Sequence, residues 1–249
     1  MLQVKRLLCL GLILTLLTCE SDSNDFTPDL GGTGTAGSLA KFTIVDDNLM
    51  VLKSDEIIQY AIETGGGLSK VRTLQFFNSN LETIFPYANN VLVGSNNGVH
   101  FLAFDSQGIL ELISTYSHLT ACDPVVALNG IAYSTLRNSD CRFNSIEVLD
   151  IIDISDIENP QVVKSYESEA PYGLTINGEN LFVCERGGLA MYDVSDPQNI
   201  ILKGFMDFAD ELPLDVIHSR GSLILRTDNA IYNMSYTSSG VFTIQAQIQ

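Results

Sequence analysis

Tryptophan is absent from the chain, and basic side chains are scarce: 13 Lys and Arg face 30 Asp and Glu, for a net charge of -17. A surface this negative repels phosphate backbones, which excludes nucleic acid as a partner. The lack of Trp argues against a sugar-active site, which commonly leans on large aromatic platforms. There is no CxxC, and the three histidines, His100, His118 and His218, stand apart from one another and from the cysteines, so zinc is disfavoured. Nothing resembles a nucleophile elbow, and no cofactor motif stands out. Helical periodicity is missing too, because turn residues interrupt every candidate window before three helical turns accumulate.

What is present begins with a basic and apolar N-terminus, "MLQVKRLLCLGLILTLLTC". Lys5 and Arg6 precede an apolar stretch, Leu7 to Thr18, that falls short of the ~20 residues needed to span a bilayer. The stretch reads as a signal peptide over residues 1–18. Its end, "LLTC", resembles the lipobox of bacterial lipoproteins, with Leu16 as the recognised leucine and Cys19 as the lipidated new N-terminus. Thr18 departs from that pattern, where Gly, Ala or Ser is commoner. Residues 19–38 are rich in Ser, Asp, Gly and Thr and read as a flexible tether. Glu20, Asp22 and Asp25 resemble the export tag of Bacteroidetes surface lipoproteins; a plain solvated linker explains them equally well. These features place the chain in a bacterial cell envelope, as an outer-membrane lipoprotein with surface exposure as one option. Its membrane contact would run through the lipid anchor.

From residue 39 to 249 the chain repeats with a period near 42. The anchors are "NLMV" (48–51), "NVLV" (90–93), "GIAY" (130–133), "NLFV" (180–183) and "SLIL" (222–225). Around each anchor, four apolar segments rich in Val, Ile, Leu, Phe and Tyr are separated by Gly, Asn, Asp and Pro turns, the pattern of strands joined by hairpins. Four-stranded units repeated at this period make an all-β, five-bladed β-propeller of antiparallel blades. The last unit supplies its own fourth strand, so the expectation is one closed ring. The near-duplicate strings "LDIIDISDIEN" (149–159) and "LAMYDVSDPQN" (189–199) fall on the hairpin between third and fourth strands. Asp153 and Asp193 are read there as turn-formers rather than catalysts.

"LAMYDVSDPQNIIL" and "LDIIDISDIENPQVV" resemble the LVIVD-repeat proteins, and "CDPVVALNGIAYSTL", followed by a second Cys, resembles the Bacteroidetes lipoprotein branch of that family. The likeness covers roughly residues 122–216 and fades in the first, second and last units, where "AIETGG", "AFDSQG" and "NMSYTSS" replace the Ser-Asp-Pro turn. Ile157 also stands where the family usually has Pro. The resemblance implies a β-propeller at the cell envelope and no known enzymatic activity.

Cys122 and Cys141 lie in polar loops of an exported chain and are expected to form a disulfide. Cys184 lies in an apolar strand and reads as a small core residue. Tyr87, Asp123, Tyr172 and Asp215, from the junctions "FPY", "CDPV", "APYG" and "LPLD", could form a rim at the channel mouth suited to a cationic or polar partner. The competing account is that Pro and Asp only build the turns there. Asp46, Asp47, Asp123 and Asp215 are the carboxylates available for an acid–base pair of the glycosidase kind. The expected function is a non-catalytic binding scaffold for a protein or envelope polymer, with no catalytic residues, metal or cofactor. The alternative is a glycan-binding or glycan-active envelope protein.

Overall fold

The computed structural model describes residues 39–117, 124–137, 147–208 and 210–249. Twenty strands form five four-stranded antiparallel sheets. Blade 1 holds β1 (Phe42–Val45), β2 (Asn48–Leu52), β3 (Glu56–Ile62) and β4 (Leu68–Gln75). Blade 2 holds β5 (Leu81–Tyr87), β6 (Asn90–Ser95), β7 (Gly98–Phe104) and β8 (Leu110–Ser117). Blade 3 holds β9 (Val125–Leu128), β10 (Ile131–Leu136), β11 (Val148–Asp153) and β12 (Gln161–Glu167). Blade 4 holds β13 (Leu174–Asn177), β14 (Asn180–Glu185), β15 (Gly188–Asp193) and β16 (Ile201–Asp207). Blade 5 holds β17 (Pro213–Ser219), β18 (Ser222–Thr227), β19 (Ile231–Tyr236) and β20 (Phe242–Ile248). The protein is a five-bladed β-propeller, and each repeat of the sequence is one blade.

Local chemistry explains each blade. The first two strands join through tight hairpins whose corner takes positive φ, as at Asn129 (51°) and Gly130 (82°), conformations that Asn and Gly adopt at little cost. The hairpin between third and fourth strands is held by the predicted aspartates. Asp153 and Asp193 each accept the backbone N–H two residues on, and Asp156 and Asp196 repeat this while gripping Asn159 and Asn199. All five blades carry a register shift between the third and fourth strands, at Gln59/Tyr60, Phe101/Leu102, Ile151/Ile152, Met191/Tyr192 and Asn233/Met234. Such bulges sharpen the twist that lets flat-packed blades fan around an axis.

Apolar side chains pack between blades rather than within them. One cluster joins blades 1 and 2 through Met50, Ile57, Ile84 and Leu102; a second spans blades 2 to 4; a third joins blades 4 and 5 through Phe182, Met191, Val216 and Leu223. Cys184 is a fully buried member of the third cluster, as its strand context suggests. Polar bonds pin the same interfaces. Buried Gln59 donates to Asn48 and to the Gly108 carbonyl and accepts from the Leu110 N–H, so it clamps blade 1 to blade 2. Buried Asp150 accepts from Tyr116 of the preceding blade at 3.0 Å. Gly204 and Gly240 touch backbone to backbone: a Cβ on Gly204 would stand 2.0 Å from the Gly240 carbonyl oxygen.

The expected closure of the ring is not seen as packing. Each first strand packs on the next, β1 on β5, β5 on β9, β9 on β13 and β13 on β17, but nothing comparable joins β17 back to β1. No apolar cluster links blades 5 and 1 among the described residues. The fourth strand of the last unit is in place, as the sequence suggested.

Candidate functional site at the channel mouth

The five first strands run in the same sense about the axis, so their beginnings gather at one end, called here the mouth. Lys41, Glu82, Tyr172 and Asp215 lie at that end because each stands just before a first strand or within its first three residues. Arg137 joins them from the opposite direction, immediately after β10. Its guanidinium carbon lies 3.9 Å from the centroid of the Tyr172 ring, in cation–π contact. Thr135 fixes the Tyr172 backbone by donating to its carbonyl at 2.7 Å.

Glu82 is the electrostatic counterpart. Burial raises its carboxyl above the usual range, while Lys41, Asn80 and Arg137 pull it back down. Asp215 caps its own strand by accepting the Val216 N–H at 3.0 Å. Gly173 exists to let this happen, since a Cβ there would meet the Asp215 carboxylate at 2.3 Å. Behind the rim, Glu147 accepts the Ala170 N–H, and Glu185 accepts from Ser168 and Tyr192. Glu211 similarly receives Thr227 and Tyr232. These inner acids are consumed in holding turns and strand ends.

The sequence-derived rim is divided by the structure. Tyr172 and Asp215 lie at the mouth. Tyr87 lies at the other end of β5, where its hydroxyl accepts the Gly130 N–H of the next blade at 2.6 Å. It is an interblade tie. Asp123, with Cys19, Cys122, Cys141 and His118, falls outside the described residues. Asp46 and Asp47 form the β1–β2 hairpin at the far end, away from Asp215, so those carboxylates do not assemble an acid–base pair. Among the described residues no group of three or more His, Cys, Asp or Glu gathers as metal ligands would. His100 and His218 pack in interblade regions, against Phe76 and Tyr236 respectively.

Sequence reasoning missed Lys41, Glu82 and Arg137. It credited the mouth with aromatic and acidic groups alone, and so pointed to a cationic or polar partner. The Tyr172 ring face already holds a guanidinium. The available signal was positional: aligning the five units on their anchors puts residues such as Glu82 beside the flagged "CDPV" and "LPLD" junctions.

With fold and mouth described, comparison with known proteins adds the following. The LVIVD repeat matches residues 147–168 and 173–207, which are the outer half of blade 3 and all of blade 4. No curated protein matches the chain. Solved structures of similar fold include a functionally unknown protein from Desulfotomaculum acetoxidans, 14% identical, covering 83% of this chain and 68% of that one at a TM-score of 0.68. The periplasmic gluconolactonase of Pseudomonas aeruginosa is 13% identical over 84% of this chain and 71% of its own, with a TM-score of 0.62. Virginiamycin B lyase from Staphylococcus aureus is 16% identical over 86% and 72%, with a TM-score of 0.58. At these identities the likeness is one of fold. The class is therefore a β-propeller carrying LVIVD repeats.

Proposed function

We propose that the chain is a non-catalytic envelope lipoprotein of the LVIVD kind, anchored through Cys19 and using the propeller mouth to bind a protein segment or envelope polymer. The observation that carries this reading is the mixed-charge cluster at the mouth, with the Arg137 guanidinium laid on Tyr172 beside Glu82 and Lys41. A cation held by a ring keeps N–H donors to offer, and a half-buried carboxylate beside it offers acceptors. Such a site takes a ligand bearing both an acidic group and hydrogen-bond donors. Polymers and peptides of the envelope carry such groups. The lipobox-like "LLTC" and the tether of residues 19–38 support an address at a membrane. Lactonase and lyase activities belong to the similar structures, whose likeness to this chain is one of fold.

The test is capture from native envelopes by cross-linking, with the wild type, Arg137→Ala and Tyr172→Ala compared side by side. The expected result is a partner retained by wild type and reduced at least tenfold by either variant, about the 1.4 kcal/mol that one cation–π or charged contact provides. Cys19→Ala should move the folded protein into the soluble fraction. Capture unchanged by both mouth variants would direct attention away from this end of the channel.

A further inference from the structure

Arg137 has donors that no described residue takes up. Stacking on Tyr172 covers one face of the guanidinium and leaves the N–H groups, which lie in its plane, uncommitted. The ion pairs among the described residues are Lys53–Glu56, Arg72–Glu111 and Lys203–Asp193, and Arg137 belongs to none of them. Its side chain donates no hydrogen bond to a described residue either. Arg72 is the contrast: its Nη1 donates to the Leu110 carbonyl at 2.9 Å and lies 3.3 Å from Glu111. The planar guanidinium fork matches a carboxylate or a phosphate through two parallel bonds.

The fork is also held in place. Arg137 directly follows β10, which is paired on both sides, with β9 and β11. Beneath it, the Tyr172 N–H donates to the Cys184 carbonyl at 2.8 Å, and the Tyr172 carbonyl accepts from Thr135 at 2.7 Å. Glu147 fixes the same loop through the Ala170 N–H. Ring and cation are thus positioned before a ligand arrives, which lowers the entropy cost of binding.

Glu82 sets the charge that the fork accepts. The charged groups acting on it are Lys41 and Arg137, so the local surplus is two minus one, or +1. Asp215 stands at the same end but caps its own strand and is not among those groups. A single negative charge matches the surplus. A phosphate monoester, at about −1.5 to −2 near pH 7, exceeds it and meets the Glu82 carboxylate as well. The carrier is decided by the ring. Tyr172 packs against the cluster of blades 4 and 5 and is covered by the guanidinium, so a sugar finds no open aromatic platform on it. A peptide needs none, and its N–H groups suit the acceptor oxygens of Glu82. Resting on the reading of the mouth as a binding site, we propose that Arg137 recognises a single free carboxylate on a peptide segment, and that Glu82 excludes phosphorylated ones.

The experiment uses the full chain in mild detergent and four N-acetylated Gly-Ser-Gly-Ala peptides. One has a free terminal carboxylate and one is amidated there. The third is amidated with aspartate in place of serine, and the fourth is amidated with phosphoserine. Saturation-transfer NMR titration should show millimolar binding of a peptide with one carboxylate, and binding of the plain amide and the phosphopeptide weaker by about tenfold. The first and third peptides separate a chain terminus from a side chain as the source of the carboxylate. Arg137→Lys keeps the charge and loses the fork, so it should weaken carboxylate binding by about tenfold. Glu82→Gln should admit the phosphopeptide. Circular dichroism establishes that both variants are folded. The proposal is overturned if the amide binds as well as either carboxylate peptide, if no peptide binds, or if Arg137→Lys binds as the wild type does. A wild type that prefers the phosphopeptide, or a Glu82→Gln that still rejects it, removes the role given to Glu82. The two readings fail separately. An envelope partner retained through Arg137 and Tyr172 without carboxylate binding removes this inference alone. Carboxylate binding with no partner captured removes the proposed function alone.

Discussion

His100 is 4% exposed, its Nδ1 lies 2.9 Å from the Thr115 hydroxyl, and its Nε2 has no partner. Burial pushes its pKa down from 6.5 to about 4. The folded protein thus keeps the ring neutral in a range where the unfolded chain takes up a proton. Its contribution is fully present above pH 6.5 and is lost as pH falls from there toward 4. A shift of that size corresponds to a loss of about 2 kcal/mol by pH 5. Urea melts at pH 7 and pH 5 should show this loss in the wild type and much less of it in His100→Gln. Equal pH sensitivity in both proteins would locate the effect elsewhere. Its burial depends on Phe76 reaching over from the end of blade 1.

At the scale of the element, the hairpins between third and fourth strands carry most of the repeated sequence signal. Asp193 accepts the Ser195 N–H and pairs with Lys203 at 2.8 Å, which holds its carboxyl far below the usual range. Asp153, Asp156 and Asp196 are also lowered, by hydrogen bonds inside their own turns. Depressed carboxylates stabilise the fold above the unfolded value of about 4 and lose that contribution as pH falls below it, a window more acidic than that of His100. Asp193→Ala should lower the melting temperature by about 2–4 °C at neutral pH, without changing the fold by circular dichroism. Its deficit relative to wild type should shrink below pH 3. A deficit that stays constant at low pH would mean that the side chain acts by shape and not by charge. These turns were legible because Asx turns act between residues two apart. The bulges one or two residues away were not, because a bulge is a relation between two strands and leaves no residue-type signature.

For the whole molecule, the last strand matters more than its exposure suggests. β20 is largely exposed, yet it pairs with all of β19, and Phe242 at its start packs edge-on against Phe182 of blade 4 with ring centroids 6.2 Å apart. Removing residues 242–249 would bare the edge of β19, including the backbone flanking buried Tyr232 and Met234. The truncated protein should aggregate on heating and lose its single cooperative transition, as light scattering during thermal denaturation would reveal. A soluble truncation with an unchanged midpoint would show that blade 5 is complete with three strands.

The division between chain and fold follows from the range of the forces involved. Strand alternation, two-residue hairpins and Asp-Ser turns act between neighbours, so the count of blades, their order and their four-strand makeup could be read along residues 39–249. Tyr172 and Asp215 could be placed at the mouth because each directly precedes or opens a first strand. Arg137 could not, since it reaches Tyr172 only after β10 returns along the blade and the next blade docks beside it. Tyr87 went to the other end for the same reason: its junction resembles the others in composition, but it closes its strand instead of opening it. Whether blade 5 meets blade 1 depends on the small rotation between successive blades, accumulated over five interfaces. No local pattern encodes that sum, so the lack of β17–β1 packing comparable to that between the other first strands was decided by tertiary packing alone.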